Sequence, residues 1–263
     1  MSDDHLLVEI KDNVLWLTIN RPEKRNALSL ALLDKIGHTL AAHATEPELK
    51  CAVITAAGDR CFAAGGDLRE LDAMRSPEQA EAMSKRGRHC LDQVRQFPLP
   101  VIAGLNGLAL GGGAELALAC DFRVAARNAE IGFLQSQLNV TTAWGGGIDL
   151  FAAVGNYRAL ELLLVAKRLS AMEAMELGLV NRLCGPEQRL DDCLQEFLAP
   201  YLRRGNQVLR GFKSLSVAHR AAFHQRLADV EQETFVTAWT HDDHWNAVEQ
   251  SISGKNNPGK KQE

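Results

Sequence analysis

The chain has few aromatic residues, no basic run, no paired-cysteine motif and no apolar stretch of membrane-spanning length. Each absence narrows the field. With 6% Phe, Trp and Tyr and a formal charge of −4, it lacks the positive field and the stacking surface that nucleic-acid binding uses. The six cysteines (51, 61, 90, 120, 184 and 193) follow neither CxxC nor Cys/His zinc spacing. They read as reduced, packed thiols, which favours a cytoplasmic setting and argues for no metal. The opening MSDDHLL is acidic where a signal peptide is basic, and no apolar core follows it. Neither a membrane nor a nucleic-acid partner is expected.

What is there suits a soluble α/β protein. A length of 263 residues and 46% apolar content can build a large core. Apolar runs at 6–10, 14–19, 51–56 and 101–105 read as strands, with shorter candidates at 124–126, 131–133 and 179–183. KDN between the first two signals a hairpin. Helical patterns cover about 30–45 behind Ser29 as N-cap, and SPEQAEAMSKRGRHCLDQVRQF from Ser76. After Trp144 helices follow one another at 148–154, 157–166, 170–177, 187–204, 206–219 and 222–239. Strand–helix alternation predicts a parallel sheet, with a core domain over 1–200 and a helical region over 201–263. The last segment, SGKNNPGKKQE, is polar, basic and expected to be mobile.

The most informative stretch is GLNGLALGGGAELALACD, from Gly104 to Asp121. Gly111, Gly112 and Gly113 would each cost a helix interior roughly 1 kcal/mol relative to alanine. At a helix start they leave N–H groups open to close approach. Glu115 lies on the first turn, either as a mere cap or as a carboxylate serving the same small volume. The spacing matches no nucleotide-binding glycine loop. A second turn, AAGGD at 63–67, also follows an apolar run. Both turns belong at the carboxyl ends of parallel strands, where one N–H from each would form a two-donor oxyanion hole. Asp67 reads as the cap of the next helix.

NRPEKRNALS, CFAAGGDL and ALGGGAELALACDFRVAA, in that order, resemble the enoyl-CoA hydratase/isomerase (crotonase) superfamily. LSAMEAMELGLVNRL extends the likeness over most of the chain. The resemblance implies an α/β fold, a crotonase-like spiral of ββα repeats with a C-terminal helical region, assembled as a homotrimer or a dimer of trimers. It implies an acyl-CoA thioester as ligand, an enolate-like intermediate, and no cofactor beyond the coenzyme A of the substrate. The matching oxyanion donors are the N–H groups of Gly66 and Gly112. Segments around Lys24 and Arg25, and Ala64, Gly66, Asp67 and Leu68, match the wall that receives adenine and pantetheine. Lys24 and Arg25 also read as ordinary solvated turn residues.

One departure bears on the reaction. Hydratases of this superfamily use two glutamates, and Glu115 matches the first. Gln135 falls where the second belongs, and IGFLQSQLNVTTAW holds no acid in any register. A glutamine neither takes nor gives protons at useful pH, which compromises two-carboxylate hydration. An oxyanion hole with one carboxyl group suits decarboxylation of a short alkylmalonyl-CoA, and the GGGAE segment and Trp144–Gly146 also resemble ethylmalonyl-CoA decarboxylase-like members. The alternatives are a hydratase working with Glu115 alone and a non-catalytic acyl-CoA-binding protein. Trp144 reads as core ahead of pocket wall. His89, His219, His224, His241 and His244 read as surface or helix-face residues, with His241 and His244 interfacial.

Overall fold

The computed structural model describes residues 5–252, so the basic segment from Ser253 onward lies outside the described residues. Strands β1 (Leu6–Lys11) and β2 (Val14–Ile19) form the expected hairpin. Its two-residue turn places Asp12 and Asn13 at φ 51° and 62°, the left-handed geometry that Asp and Asn tolerate and strand twist favours. Helix α1 (Leu30–His43) begins at Ser29, whose Oγ accepts the Leu32 N–H at 3.2 Å. Then come β3 (Cys51–Ala56), β4 (Cys61–Ala63), the single turn α2 (Leu68–Leu71) and α3 (Pro77–Gln96). Ser76 and Gln79 close a reciprocal capping box ahead of α3.

Next follow β5 (Val101–Leu105), β6 (Leu108–Leu110), α4 (Gly112–Ala119), β7 (Phe122–Ala125) and β8 (Glu130–Gly132). From β3 onward each pair of consecutive strands is split between two sheets, up to β8. The first joins a six-stranded sheet ordered β1-β2-β3-β5-β7-β10, and the second joins a smaller sheet ordered β4-β6-β8-β9. Apart from β1 against β2 and β8 against β9, every pairing is parallel. β3 and β5 are buried almost throughout, as strands covered on both faces must be. This is the ββα repeat that the resemblance implies.

The rest is α5 (Gly146–Val154), α6 (Asn156–Val165), β9 (Leu169–Ser170), α7 (Ala171–Glu176), β10 (Arg182–Leu183), α8 (Leu190–Leu202), α9 (Asn206–Trp239) and α10 (Asp242–Ile252). Two expectations change here. The strand expected over 179–183 shrinks to Arg182–Leu183, because the N–H groups of Leu179 and Val180 both turn back to the Ala174 carbonyl. The helices expected at 206–219 and 222–239 are one helix of 34 residues. Its buried residues sit at the two ends, Leu209 and Lys213 then Glu231, Phe235 and Trp239, and the middle packs inward through polar Arg220 and His224, so the apolar rhythm lapses there. All six cysteines are buried and free. No described helix is long and apolar enough to cross a membrane.

Candidate active site

The two glycine turns meet because β4 and β6 are neighbours in the smaller sheet, with Cys61 opposite Leu108 and Ala63 opposite Ala109. The chain leaves both strands at the same end. Around Gly66, Leu28 donates its N–H to the Gly65 carbonyl and accepts from the Asp67 N–H, at 2.8 and 2.9 Å. Successive peptide groups of an extended chain point to opposite sides, so the Gly66 N–H faces away from Leu28. Gly112 is the first residue of α4, whose N–H has no acceptor within the helix. Neither N–H has an acceptor among the described hydrogen bonds.

Both glycines border one indole edge. A Cβ on Gly66 would lie 3.5 Å from Trp144 Cη2, and one on Gly112 would lie 2.9 Å from the same atom. Gly66 and Gly112 line one cavity of about 380 Å³, together with Glu115, Gln135, Trp144 and Arg25. Trp144, expected as core ahead of pocket wall, is both: 4% exposed and part of the lining.

Glu115 is 3% exposed. Its Oε2 accepts the N–H groups of Trp144 and Gly146 at 2.8 and 3.0 Å, and its Oε1 accepts Gln135 Nε2 at 3.0 Å. No cation pairs with it among the described residues. Burial pushes its carboxyl up to about 7, and the nearby charge of Glu231 adds to this against the three donors. Burial therefore favours the protonated form of this carboxyl more than in an ordinary glutamate. Gln135 keeps a buried Oε1 that has no hydrogen-bond partner among the described residues.

The proposed ligand wall divides. Arg25, Ala64, Gly66 and Leu68 line the cavity. Lys24 is exposed on the preceding single turn, Pro22–Lys24, and is not among the lining residues. Asp67 occupies the N-cap position of α2 without capping it through its side chain. Instead its carboxylate accepts Arg21 Nη2 at 2.9 Å, while its backbone carbonyl takes the N–H groups of Glu70 and Leu71. The buried guanidinium of Arg21 outcompetes two backbone amides for that carboxylate.

His244 also departs from expectation. It is fully buried on the cavity wall, its ring centroid 4.6 Å from that of Trp239, with Nδ1 2.6 Å from the Leu138 carbonyl. Burial moves its imidazole below the usual range, towards the neutral form. His224 is no free surface residue either, since its Nε2 lies 2.9 Å from Asp149 Oδ1. His89, His219 and His241 are exposed, as expected.

Sequence reasoning missed the residues behind the loop that leads into α5. Glu231 accepts Thr142 Oγ1 at 2.6 Å, the Gly145 N–H at 2.8 Å and Arg88 Nη2. Arg95 donates to the Trp144 carbonyl at 2.7 Å and pairs with Asp149. One signal was available: Glu231, Phe235 and Trp239 recur every fourth residue, which puts an acid on a buried stripe. Among the described residues no group of three or more His, Cys, Asp or Glu side chains is arranged to hold a metal ion.

A family model described as enoyl-CoA hydratase/isomerase matches residues 9–253. A crotonyl-CoA hydratase of Syntrophomonas wolfei is 32% identical over 235 residues, 89% of this chain and 90% of that protein. An ethylmalonyl-CoA decarboxylase of Xenopus laevis is 30% identical over 229 residues, 87% of this chain and 76% of that one. Among solved structures, an enoyl-CoA hydratase of Bacillus anthracis aligns with a TM-score of 0.77 at 30% identity, covering 95% and 97% of the two chains. With the split ββα units and the paired glycine turns already in place, the chain belongs to the enoyl-CoA hydratase/isomerase (crotonase) family.

Proposed function

We propose that this protein acts on an acyl-CoA thioester through an enolate held by the N–H groups of Gly66 and Gly112, and that it decarboxylates a short alkylmalonyl-CoA. The observation that carries the choice is the 3.0 Å contact from Gln135 Nε2 to Glu115 Oε1. Where a two-carboxylate hydratase needs its second acid, this chain has an amide that serves the first. In the reaction, the bond from the α carbon to the carboxylate breaks and CO2 leaves. The bonding pair enters the thioester, whose oxygen turns anionic against the two amides. Glu115 then gives its proton to the α carbon, and its carboxylate regains one from water. A carboxyl that titrates at about 7 suits this delivery. Arg25, Ala64 and Leu68 receive the coenzyme A arm, with Lys24 reaching it from the exposed turn.

The names of the relatives divide, and hydration by Glu115 alone is the second reading, favoured by the hydratase at 32% identity. Purified protein assayed with ethylmalonyl-CoA and crotonyl-CoA side by side tests both. CO2 release that disappears in Glu115→Gln is expected; hydration as the faster reaction would overturn the first reading. Turnover of neither, with binding retained, would leave an acyl-CoA-binding protein. Assembly as a trimer or a dimer of trimers is part of the proposal, supported by exposed Tyr157, Leu164 and Val165 on α6 and Phe212 and Leu215 on α9. Light scattering on the eluting protein tests it.

A further inference from the structure

Three consecutive amides lie between two buried carboxylates. The N–H groups of Trp144 and Gly146 go to Glu115 Oε2, at 2.8 and 3.0 Å, and the Gly145 N–H between them goes to Glu231 Oε2, at 2.8 Å. The alternation leaves the loop little freedom, because moving either carboxylate drags an amide that the other side needs. It joins α4, which carries Glu115, to the far part of α9, which carries Glu231.

We propose that Glu231 is a positioning residue that acts across the Trp144–Gly146 amides to fix the place and the charge environment of Glu115. The proposal rests on the reading of Glu115 as the proton-transfer group, and its own test needs no turnover.

The surrounding charges leave Glu231 as the one that matters. From α3, Arg88 pairs with Glu231, while Arg95 is held by Asp92 and Asp149. From α5, Asp149 is matched by Arg95, by Arg220 at 2.9 Å and by His224 at 2.9 Å. From the segment before α5, Gln135 and Thr142 contribute neutral groups. Glu231 is the like charge that raises Glu115, in the same sense as burial. Both carboxylates are buried against one loop, and of the two only Glu231 pairs with a cation, which leaves Glu115 as the uncompensated group.

The test is a direct titration of the Glu115 carboxyl by difference infrared spectroscopy, with Glu115→Gln identifying its band. Glu231→Gln removes the like charge and leaves Arg88 uncompensated, so the midpoint falls by about one pH unit, a tenfold loss of proton affinity. Arg88→Gln leaves Glu231 unopposed, and the midpoint rises. Glu231→Asp keeps the charge and restores most of the midpoint, which a merely structural role would not do. Unmoved midpoints, or shifts in the same direction for Glu231→Gln and Arg88→Gln, would overturn the proposal. If Glu231→Gln does not fold, the Arg88→Gln and Glu231→Asp titrations decide by the same signs. An assay that finds neither decarboxylation nor hydration would sink the reading of Glu115 but leave these midpoints to be judged separately.

Discussion

Helices α4 and α5 start on the same five-residue pattern, Gly111-Gly112-Gly113-Ala114-Glu115 and Gly145-Gly146-Gly147-Ile148-Asp149. In each the first glycine is the N-cap with positive φ, and the acid closes the first turn onto that glycine's carbonyl, at 3.1 and 3.0 Å. Both carboxylates are buried. Both sit where the helix dipole favours negative charge. They nonetheless titrate in opposite directions. Burial lifts Glu115 to about 7, whereas for Asp149 the same penalty is overcome by Arg95, Arg220 and His224, and its carboxyl lies well below the usual range. The local sequence sets the position, and partners from distant segments set the charge. Where those partners are withheld, the carboxyl is held towards its protonated form.

The largest effect that tests this contrast is on rate. Glu115→Gln is expected to lower kcat by about 10²–10⁴, the usual worth of a positioned acid or base. Its effect on stability is small at pH 5, below about 1 kcal/mol, because Gln135 can turn its unpartnered Oε1 towards the new amide donor. A large loss of stability with rate intact would make Glu115 the structural member of the pair. Asp149→Asn reverses the pattern. It strips Arg95 and Arg220 of their shared anion and is expected to cost about 3–5 kcal/mol at pH 7, measured by urea denaturation. A cost near zero would dissolve the distinction.

How far the sequence could reach follows from the same contrast. That the two glycine turns and Glu115 would share one small volume was legible, because turns and helix starts have local requirements: an N–H without an acceptor, and room for close approach. The choice of Gly66 and Gly112 within the turns came from the family resemblance. β4 was not legible, since three residues, Cys61–Ala63, are too short to display a strand's alternation. The continuity of α9 was hidden where its middle packs through polar Arg220 and His224 and carries no apolar rhythm. Glu231 and Arg88 were hidden for a different reason. Nothing near either residue in the chain announces that they meet behind the Trp144 loop, and only the packing of α3 against α9 brings them there. His244 was misread because its neighbours in sequence, His241 and Asp243, are exposed, while the turn of α10 points it inward onto Trp239.

The pH dependence of stability sharpens the comparison with a smaller effect. A carboxyl raised on folding stabilises while it keeps its proton. Glu115 thus contributes fully below its ordinary value of 4.5, and the contribution is lost as pH rises through about 7. Relative to the wild type, Glu115→Gln should gain on the order of 3 kcal/mol between pH 4.5 and 8. Asp149 runs the other way. Its contribution is present above its ordinary 3.8 and is lost as pH falls below it, so the gap between wild type and Asp149→Asn should narrow only in acid. Denaturation midpoints across pH 3–8 for the three proteins would break the comparison if both gaps moved in the same direction.

The smallest effect concerns what Gln135 withholds. Gln135→Glu puts a second carboxyl 3.0 Å from Glu115 Oε1, in place of a donor. Two carboxyls at that distance cannot both ionise cheaply, so at neutral pH the pair retains one proton between them. The site would then offer an acid and a base together, the set that adding water across a double bond calls for. Hydration of crotonyl-CoA should rise by about tenfold, a modest share of what a positioned acid or base contributes, because no other part of the cavity changes. Decarboxylation should fall, since the new negative charge faces the carboxylate that must enter the pocket. The two rates moving together would mean that the Gln135 side chain does not choose between the reactions, and that the choice lies elsewhere on the cavity wall.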